Sequence, residues 1–214
     1  MNQENEYYAL TKKAFNLLAP FYNILTMPLT HVRNQVVTIA HIDKESKVLD
    51  VATGTGQQAF AFAKYGYDVT GIDLTEAMLE IARRHNKNGF VKFEVGDATH
   101  LRFDQNTFDS SCISFALHDM PLDIREKVLR EMVRVTKPQG VIMIVEYDLP
   151  DNKISKRLIY RFITLYESEC YKQFISSDLN VMLDKTGIEV VERVPILFGA
   201  GRIWKGIKNT VKEP

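Results

Sequence analysis

Two glycines, Gly54 and Gly56, follow a short apolar run and stand directly before a helical pattern. A glycine at such a bend lets the backbone approach a bound group that a Cβ atom would obstruct. The free N–H groups at the start of the next helix favour an anionic partner, either a phosphate or the carboxylate of an amino acid. The segment from Asp50 to Gly56 therefore predicts a ligand-binding turn.

Three acidic residues accompany this turn on consecutive strand-like runs. Asp73 ends the second run, where a carboxylate can accept both hydroxyls of a ribose. Asp50 lies inside the first run and suits a cationic amine. Asp97 ends the third run within Gly96-Asp97-Ala98, although Gly-Asp is also common in plain turns. The pattern predicts a nucleoside site.

The same turn also fits a dinucleotide site. Residues 54–59 match the fingerprint G-x-G-x-x-G/A, and Asp73 follows at close to the expected spacing of about 20 residues. An NAD(P)-dependent oxidoreductase is therefore the main alternative. Asp50, Asp97 and the hairpin predicted at the tail favour a different nucleoside ligand, because a dinucleotide fold does not require them.

The elements that must position these residues alternate along the chain. Two helical patterns, 7–25 (interrupted by Pro20) and 29–40, precede the first strand. Strand-like runs at 47–51, 68–72, 91–95, 108–117 and 141–147 alternate with helical patterns after the glycine turn, at 75–85 and at 122–135. A turn is predicted at 137–140, between the last helix and its strand. Such alternation predicts a parallel sheet with right-handed crossovers.

The tail follows a different pattern. Helical stretches at 154–170 and 177–186 precede strand-like segments at 188–194 and 202–208, whose link is too short for a helix. They should pair antiparallel, because a parallel crossover needs a dozen or more residues. We expect a doubly wound α/β fold with a seven-stranded, mostly parallel sheet and one antiparallel strand near the carboxyl end. Residues 1–214 should form one domain, with residues 1–41 as a helical lid.

Several stretches together resemble the class I S-adenosylmethionine-dependent methyltransferases, and more narrowly the ubiquinone/menaquinone biosynthesis C-methyltransferase family. The matching stretches are VLDVATGTGQQAF, VTGIDLTEAMLEIAR, FEVGDATHLRFDQNTFDSSCISFAL, VLREMVRVTKPQGVIMIVEYD and GIEVVERVPILFGAGRIWKGIK. They run from about residue 47 to residue 208, and a weaker match, APFYNILT, lies in the amino-terminal helix. The resemblance implies a Rossmann-like methyltransferase that binds S-adenosylmethionine.

The resemblance also implies a role for individual residues. The glycine turn should line the methionine end of the cofactor, the acid after the second strand should hold the ribose, and the third strand end should hold the adenine edge. Two apolar side chains should pack on the adenine face, and a serine should lie below the cofactor. The implied cofactor-binding residues are Asp50, Ala52, Gly54, Thr55, Gly56, Asp73, Leu74, Met78, Asp97, Ala98 and Ser114.

The sequence departs from the family pattern at three points. Thr53 stands where the first motif commonly carries another glycine, and His118-Asp119 replaces an Arg-Asn pair after the fourth strand. The connection that follows Tyr147 also looks shorter than in quinone enzymes. That connection usually helps to shape the acceptor pocket, so its shortness argues against a bulky prenylated quinone.

His118 is the candidate catalytic residue. Methyl transfer from a sulfonium needs mainly alignment, but an acidic acceptor benefits from a base, and the unperturbed pKa of histidine is about 6.5. A histidine that merely caps the strand end is an equally open interpretation. Tyr22 and Asn23 could cover the cofactor or simply pack. An aromatic group favours a core-facing helix over a lid: Tyr160, Phe162, Tyr166, Tyr171 and Phe174.

Composition limits which other classes of function the chain can have. Lysine plus arginine equals aspartate plus glutamate at 27 each, so no global field favours nucleic acid. No apolar stretch is long enough to cross a bilayer, and Cys112 and Cys170 fit reduced thiols in a cytoplasmic protein. No metal-ligand spacing occurs.

The sequence thus predicts methyl transfer to a small, apolar or aromatic molecule that is quinol-, phenol- or thiol-like. A non-catalytic protein that binds S-adenosylmethionine is a further alternative. The oligomeric state is left open.

Overall fold

Short apolar strands build the centre of the molecule. The computed structural model describes residues 3–149, 152 and 169–209. The strands are β1 (Lys47–Val51), β2 (Asp68–Asp73), β3 (Val91–Val95), β4 (Phe108–Ser114), β5 (Thr136–Tyr147), β6 (Ile188–Ile196) and β7 (Gly201–Lys208). The helices are α1 (Gln3–Leu25), α2 (Thr30–Ala40), α3 (Gln57–Lys64), α4 (Glu76–His85), α5 (Leu122–Val135), α6 (Glu169–Ser176) and α7 (Leu179–Lys185).

The seven strands form one sheet in the order β3-β2-β1-β4-β5-β7-β6. β1 pairs in parallel with β2 and β4, and β7 is antiparallel to both β5 and β6. The expected doubly wound fold with one antiparallel strand is confirmed. The strand order reverses between β1 and β4, and ligands of such sheets bind at the carboxyl ends beside this reversal.

Alternating side chains give the sheet an apolar surface on both faces. In β5, Ile142 and Ile144 join the core cluster that includes residues of α5 and α7, whereas Met143 and Val145 join the cluster that includes residues of α2 and α3. The two clusters anchor helices on both sides and leave the carboxyl edge of the sheet for binding.

The elements differ from the predictions in detail. α1 continues through Pro20, which is exposed and removes only one helical donor. β4 ends at Ser114 rather than at residue 117, because the chain turns at Phe115, with φ 51°, into a 3-10 turn (Leu117–Asp119).

The turn predicted at 137–140 lies within β5. There the pairing with β4 jumps from Phe108↔Thr136 to Ser110↔Val141, and Gln139 has φ 63°. The four residues therefore form a bulge rather than a boundary between helix and strand.

Two further predictions concern the tail and membrane segments. The antiparallel hairpin of β6 and β7 is confirmed. Most of the helix predicted at 154–170 lies outside the described residues. Among the described helices, none has the length and apolar character needed to span a bilayer.

Candidate functional site

A cleft with a cavity volume of about 90 Å3 lies at the carboxyl ends of β1 to β4. Its floor is formed by the residues that follow these strands, and its cover is formed by α1 through Tyr8, Phe15 and Tyr22. The predicted cofactor-binding residues on its wall are Ala52, Gly54, Asp73, Leu74, Met78, Asp97, Ala98 and Ser114.

Strained backbone opens the cleft at the reversal of strand order. Ala52, directly after β1, has φ 53°, and Phe115, directly after β4, has φ 51°. Both residues are non-glycine and occupy the left-handed region, which is uncommon and clusters at functional sites. The two neighbouring chains therefore turn sharply where they leave the sheet.

The glycine turn is closed by backbone hydrogen bonds. Thr53 N–H donates to Ile72 O (2.8 Å), and Gly56 N–H donates to Thr53 O (2.9 Å). Gly54 has φ 56°, and a Cβ at that position would lie 3.7 Å from Tyr22 Cε1. The turn thus brings backbone close to the helix that covers the cleft.

Asp73 receives two backbone donors at the end of β2. Gly54 N–H donates to Oδ2 and Thr75 N–H donates to Oδ1, each at 2.8 Å. Burial raises the pKa of Asp73, and the hydrogen bonds from Thr75 and Gly54 oppose that rise. The Thr75 side chain and the Leu74 backbone also hydrogen-bond to this carboxylate, so local donors fix its position at the end of β2.

Asp50 is buried in the sheet, with 1% of its surface exposed. Thr53 Oγ1 donates to Oδ2 at 2.5 Å. Burial raises the pKa of Asp50 to about 7, against the hydrogen bonds from Thr53 and the backbone of Ala59. Arg33 faces the same carboxyl, and burial lowers the pKa of this arginine. The carboxyl is therefore suited to hold a cation.

Asp97 connects the end of β3 to the covering helix. Its Oδ1 accepts Thr99 N–H (2.8 Å) and Thr99 Oγ1–H (2.7 Å). Tyr8 Oη and Thr99 Oγ1 lie 3.1 Å apart. Asp97 thus has the local hydrogen bonds of a turn former and also lies on the cleft wall beside Ala98.

A second pocket, with a cavity volume of about 410 Å3, adjoins the cleft and shares part of its wall. The shared wall includes Tyr22, Ala52 and Ser114. Thr55 lines this pocket, and its hydroxyl donates to Asn23 Oδ1 at 2.6 Å. Apolar side chains make up much of its remaining lining: Leu18, Leu25, Pro28, Leu29, Val32 and Val145.

His118 lies on the wall of this second pocket and is buried. Its Nδ1 lies 2.8 Å from Glu146 Oε2, and its Nε2 lies 3.4 Å from Asp119 Oδ2. Burial raises the pKa of Asp119, while His118 lowers it. A titratable ring with a fixed carboxylate partner can move protons at this position.

The structure brings together all but one of the predicted site residues. Gly56 lies behind the turn, at the start of α3, where a Cβ would approach Phe93 Cζ to 2.6 Å. Tyr171 and Phe174 lie beside His118, with ring centroids 5.2 and 6.5 Å from its own. Three other aromatic candidates fall outside the described residues: Tyr160, Phe162 and Tyr166.

Sequence reasoning missed Glu146 and Arg33. Glu146 is an acid at the end of an otherwise apolar strand, which is the same signal that identified Asp50. Arg33 had no comparable signal, because its position over the pocket depends on how α2 packs on the sheet.

Comparison with known proteins gives a consistent picture. A family model described as a methyltransferase domain matches residues 48–140. The chain is 38% identical over 141 residues to a demethylmenaquinone methyltransferase of Paenarthrobacter aurescens (strain TC1), covering 64% of this chain and 54% of that protein. It is 30% identical over 239 aligned positions to a ubiquinone/menaquinone biosynthesis C-methyltransferase of Geobacter sp. (strain M21), covering 94% of this chain and 100% of that protein. The chain thus spans about half the length of the first relative and all of the second.

Solved structures share the fold at low sequence identity. The [4+2]-cyclase SpnF superposes with a TM-score of 0.75 at 16% identity, covering 93% of this chain and 95% of that one. A SAM-dependent methyltransferase from Aquifex aeolicus gives a TM-score of 0.63 at 21% identity, covering 82% of this chain and 89% of that one. At such identities the likeness concerns the fold alone.

Proposed function

The chain belongs to the ubiquinone/menaquinone biosynthesis C-methyltransferase family, and from this membership we propose that it transfers a methyl group from S-adenosylmethionine to a small acceptor. The acceptor in this proposal is apolar or aromatic and is quinol-, phenol- or thiol-like. The observation that carries the proposal is the convergence of Asp73, Asp97 and the glycine turn, from three consecutive strand ends, on one cleft.

The residues of the cleft fit the cofactor that the family implies. Asp73 on the cleft wall is proposed to accept the ribose hydroxyls, and Asp97 with Ala98 offers a polar edge for the adenine. Leu74 and Met78 supply apolar surface for the adenine face. These groups match a nucleoside in chemistry.

The methionine end is assigned to the glycine turn and the second pocket. Gly54 has φ 56° and leaves the backbone open for close approach, and Thr55 and Ser114 line the adjoining walls. Asp50 is proposed to hold the amine, because a buried carboxylate gains most from a cationic partner.

Bound S-adenosylmethionine supplies an activated methyl group on a sulfonium, so the protein needs mainly to align the acceptor and exclude water. We assign the cover to residues 1–41 as a lid, since Tyr8 and Tyr22 of α1 line the cleft. A hydrogen bond between Tyr8 and Thr99 and one from Thr55 to Asn23 hold this cover at two points.

The second pocket is proposed to hold the acceptor beside the methionine end of the cofactor. It adjoins the cleft and combines apolar side chains with charged ones, and His118 lies on its wall. We propose that His118 acts as the base when the acceptor has an acidic proton. The curated relatives named for demethylmenaquinone support a quinol-like acceptor, and the apolar side chains are compatible with one.

Calorimetric titration separates the proposed cofactor from the main alternative. We expect S-adenosylhomocysteine to bind and NADH not to bind, because the cleft offers single-nucleoside contacts at consecutive strand ends. Binding of NADH alone contradicts the proposal and favours an oxidoreductase. The variant Asp73→Ala is the matched check that binding occurs in this cleft, and Asp68→Ala, at the exposed start of the same strand, is its control.

The acceptor class is tested with isotope-labelled S-adenosylmethionine and a panel of 1,4-naphthoquinol, phenols and alkyl thiols. Sustained label transfer to one class supports an enzyme with that acceptor. Binding of the donor without transfer to any of the classes contradicts the acceptor assignment and favours a protein that binds the cofactor without turnover.

A further inference from the structure

Arg33, on α2, lies on the wall of the second pocket. Its backbone is fixed to the first turn of α3, because Gln58 Nε2 donates to Arg33 O at 3.3 Å. Gln58 is buried and follows Gly56 by two residues, so the contact holds Arg33 next to the glycine turn. An arginine is always protonated in a protein. The pocket therefore has a permanent positive charge beside the proposed methionine end of the cofactor.

The Arg33 guanidinium interacts with two groups that line the same pocket. Burial lowers the pKa of Arg33, and electrostatic interactions with Tyr22 of α1 and Asp50 of β1 oppose this change. In return, Arg33 lowers the pKa of both residues, against the larger rise that burial causes in each. Tyr22 and Asp50 both lie on the pocket wall. The charged end of the half-buried Arg33 therefore faces the pocket rather than the outer surface of α2.

The guanidinium and the Asp50 carboxyl are neighbours but do not pair. Asp50 Oδ2 accepts Thr53 Oγ1–H at 2.5 Å. Across the described residues, the Arg33 guanidinium has no hydrogen-bond or ion-pair partner, since the side chain of Gln58 contacts the Arg33 carbonyl instead. A guanidinium carries several N–H donors in one plane. These donors are therefore available to a ligand in the cavity of about 410 Å3 that both residues line.

A cation and a carboxyl side by side complement the two charges of an amino-acid group. The ammonium and the carboxylate of the methionine moiety are bonded to the same carbon atom. Because Asp50 is proposed to hold the ammonium, the residue that holds the carboxylate must be a neighbour of Asp50. Arg33 is the one permanent cation on the described wall of this pocket. A guanidinium can form paired hydrogen bonds to a carboxylate, and this pairing is strong and geometrically specific.

We propose that Arg33 binds the carboxylate of the methionine moiety, so that Arg33 and Asp50 together recognise the zwitterionic end of the cofactor. The inference rests on the proposed function and deepens it, because it names the residue that sets the specificity at this end. The pair selects nucleosides that carry a complete amino-acid group. Nucleosides without the carboxylate, such as the decarboxylated form of the donor, should bind weakly although their adenine and ribose are unchanged.

Calorimetric titration with two ligands tests this without enzyme turnover. The ligands are S-adenosylhomocysteine and its decarboxylated analogue, which keeps the amine and lacks only the carboxylate. The wild-type protein should bind the analogue about tenfold to 100-fold more weakly, as expected for the loss of charge-assisted hydrogen bonds. In Arg33→Gln, the Kd of S-adenosylhomocysteine should rise by about the same factor, whereas the Kd of the analogue should not rise.

Two further variants separate binding from structure. Arg33→Lys keeps the charge and the aliphatic stem but not the planar donors, so it should fold and retain part of the preference for the carboxylate. Arg130→Gln removes an exposed arginine of α5 and should bind both ligands like the wild-type protein. Equal losses of affinity for the two ligands in Arg33→Gln, or an undiminished preference in both Arg33 variants, overturn the proposal. If the proposed function itself is wrong, the wild-type protein binds neither ligand.

Discussion

The carboxylate of Asp73 accepts the backbone N–H of Gly54 at 2.8 Å, so the acid at the end of β2 is attached directly to the turn after β1. The other oxygen of the same carboxylate accepts Thr75 N–H, at the entrance to α4. One side chain therefore sets the relative positions of two strand ends and of the helix that follows. The orientation of Asp73 toward the cleft is fixed before any ligand arrives.

Asp73→Asn should weaken the binding of S-adenosylhomocysteine by about 1 to 3 kcal/mol, roughly a fivefold to 150-fold rise in Kd. An asparagine offers one acceptor oxygen where the aspartate offers two, so either Gly54 or Thr75 faces an N–H group instead. Calorimetry gives the affinity. Asp68→Asn, at the exposed end of the same strand, is the control, and equal affinities for the two variants would remove Asp73 from the site.

Asp50 should make stability depend on pH. Burial raises its pKa from the ordinary 3.8 to about 7, so the folded protein holds a proton that the unfolded chain has lost between these values. The free energy of unfolding therefore falls as the pH rises from about 4 to 7. Asp50→Asn removes this loss and should raise stability at pH 8 by about 2 to 4 kcal/mol, with little change at pH 4. Denaturant unfolding at pH 4 and at pH 8 measures the free energy of unfolding of both proteins.

The same residue should give ligand binding the opposite dependence. An ammonium group needs the ionised carboxylate, so the affinity for S-adenosylhomocysteine should rise about threefold to tenfold from pH 6 to pH 7.5. Asp50→Asn should bind more weakly and show no such rise. A parallel pH dependence in the wild type and the variant contradicts the assignment of the amine to Asp50.

The sequence alone predicts those parts of the molecule that depend on local pattern. The alternation of strands and helices, the glycine turn and Asp73 follow from periodicity and from residues close together in the chain. The segment at 137–140 shows the limit of such signals, because proline and glycine suit a bulge as well as a turn, and the pairing of β4 with β5 decides between them.

The contacts that complete the site depend on tertiary packing. Glu146 meets His118 across 28 residues because β4 and β5 are neighbours, and Tyr8 meets Thr99 across 91 residues because α1 lies over the cleft. Neither pair has a sequence spacing that reveals it. Only the burial of an acid in an apolar strand indicates that a partner must exist.

Gly56 should matter for packing rather than for ligand contact. It has φ 79°, and an added Cβ would lie 2.6 Å from Phe93 Cζ. Gly66 has φ 93°, but a Cβ there would meet nothing within 4 Å. Both alanine variants should lose about 1 to 2 kcal/mol of the free energy of unfolding, because alanine disfavours the left-handed backbone. Only Gly56→Ala should lose a further amount, about 1 to 3 kcal/mol, because its Cβ overpacks against Phe93. Denaturant unfolding measures the difference in the free energy of unfolding between the two variants. Equal losses would show that the Phe93 ring can move aside without an energetic cost.

Asn23 should control how long the cofactor stays bound. Thr55 Oγ1 donates to Asn23 Oδ1 at 2.6 Å, which attaches α1 to the glycine turn. Asn23→Ala removes this attachment, so the helix should open more often and S-adenosylhomocysteine should dissociate about threefold to tenfold faster, as expected for the loss of one hydrogen bond. Surface plasmon resonance gives the dissociation rate, and hydrogen exchange reports faster opening of α1. Asn16→Ala, an exposed position of the same helix, is the control. If both variants release the ligand at the wild-type rate, α1 does not act as a lid, because a cover that limits release must respond when its attachment is cut.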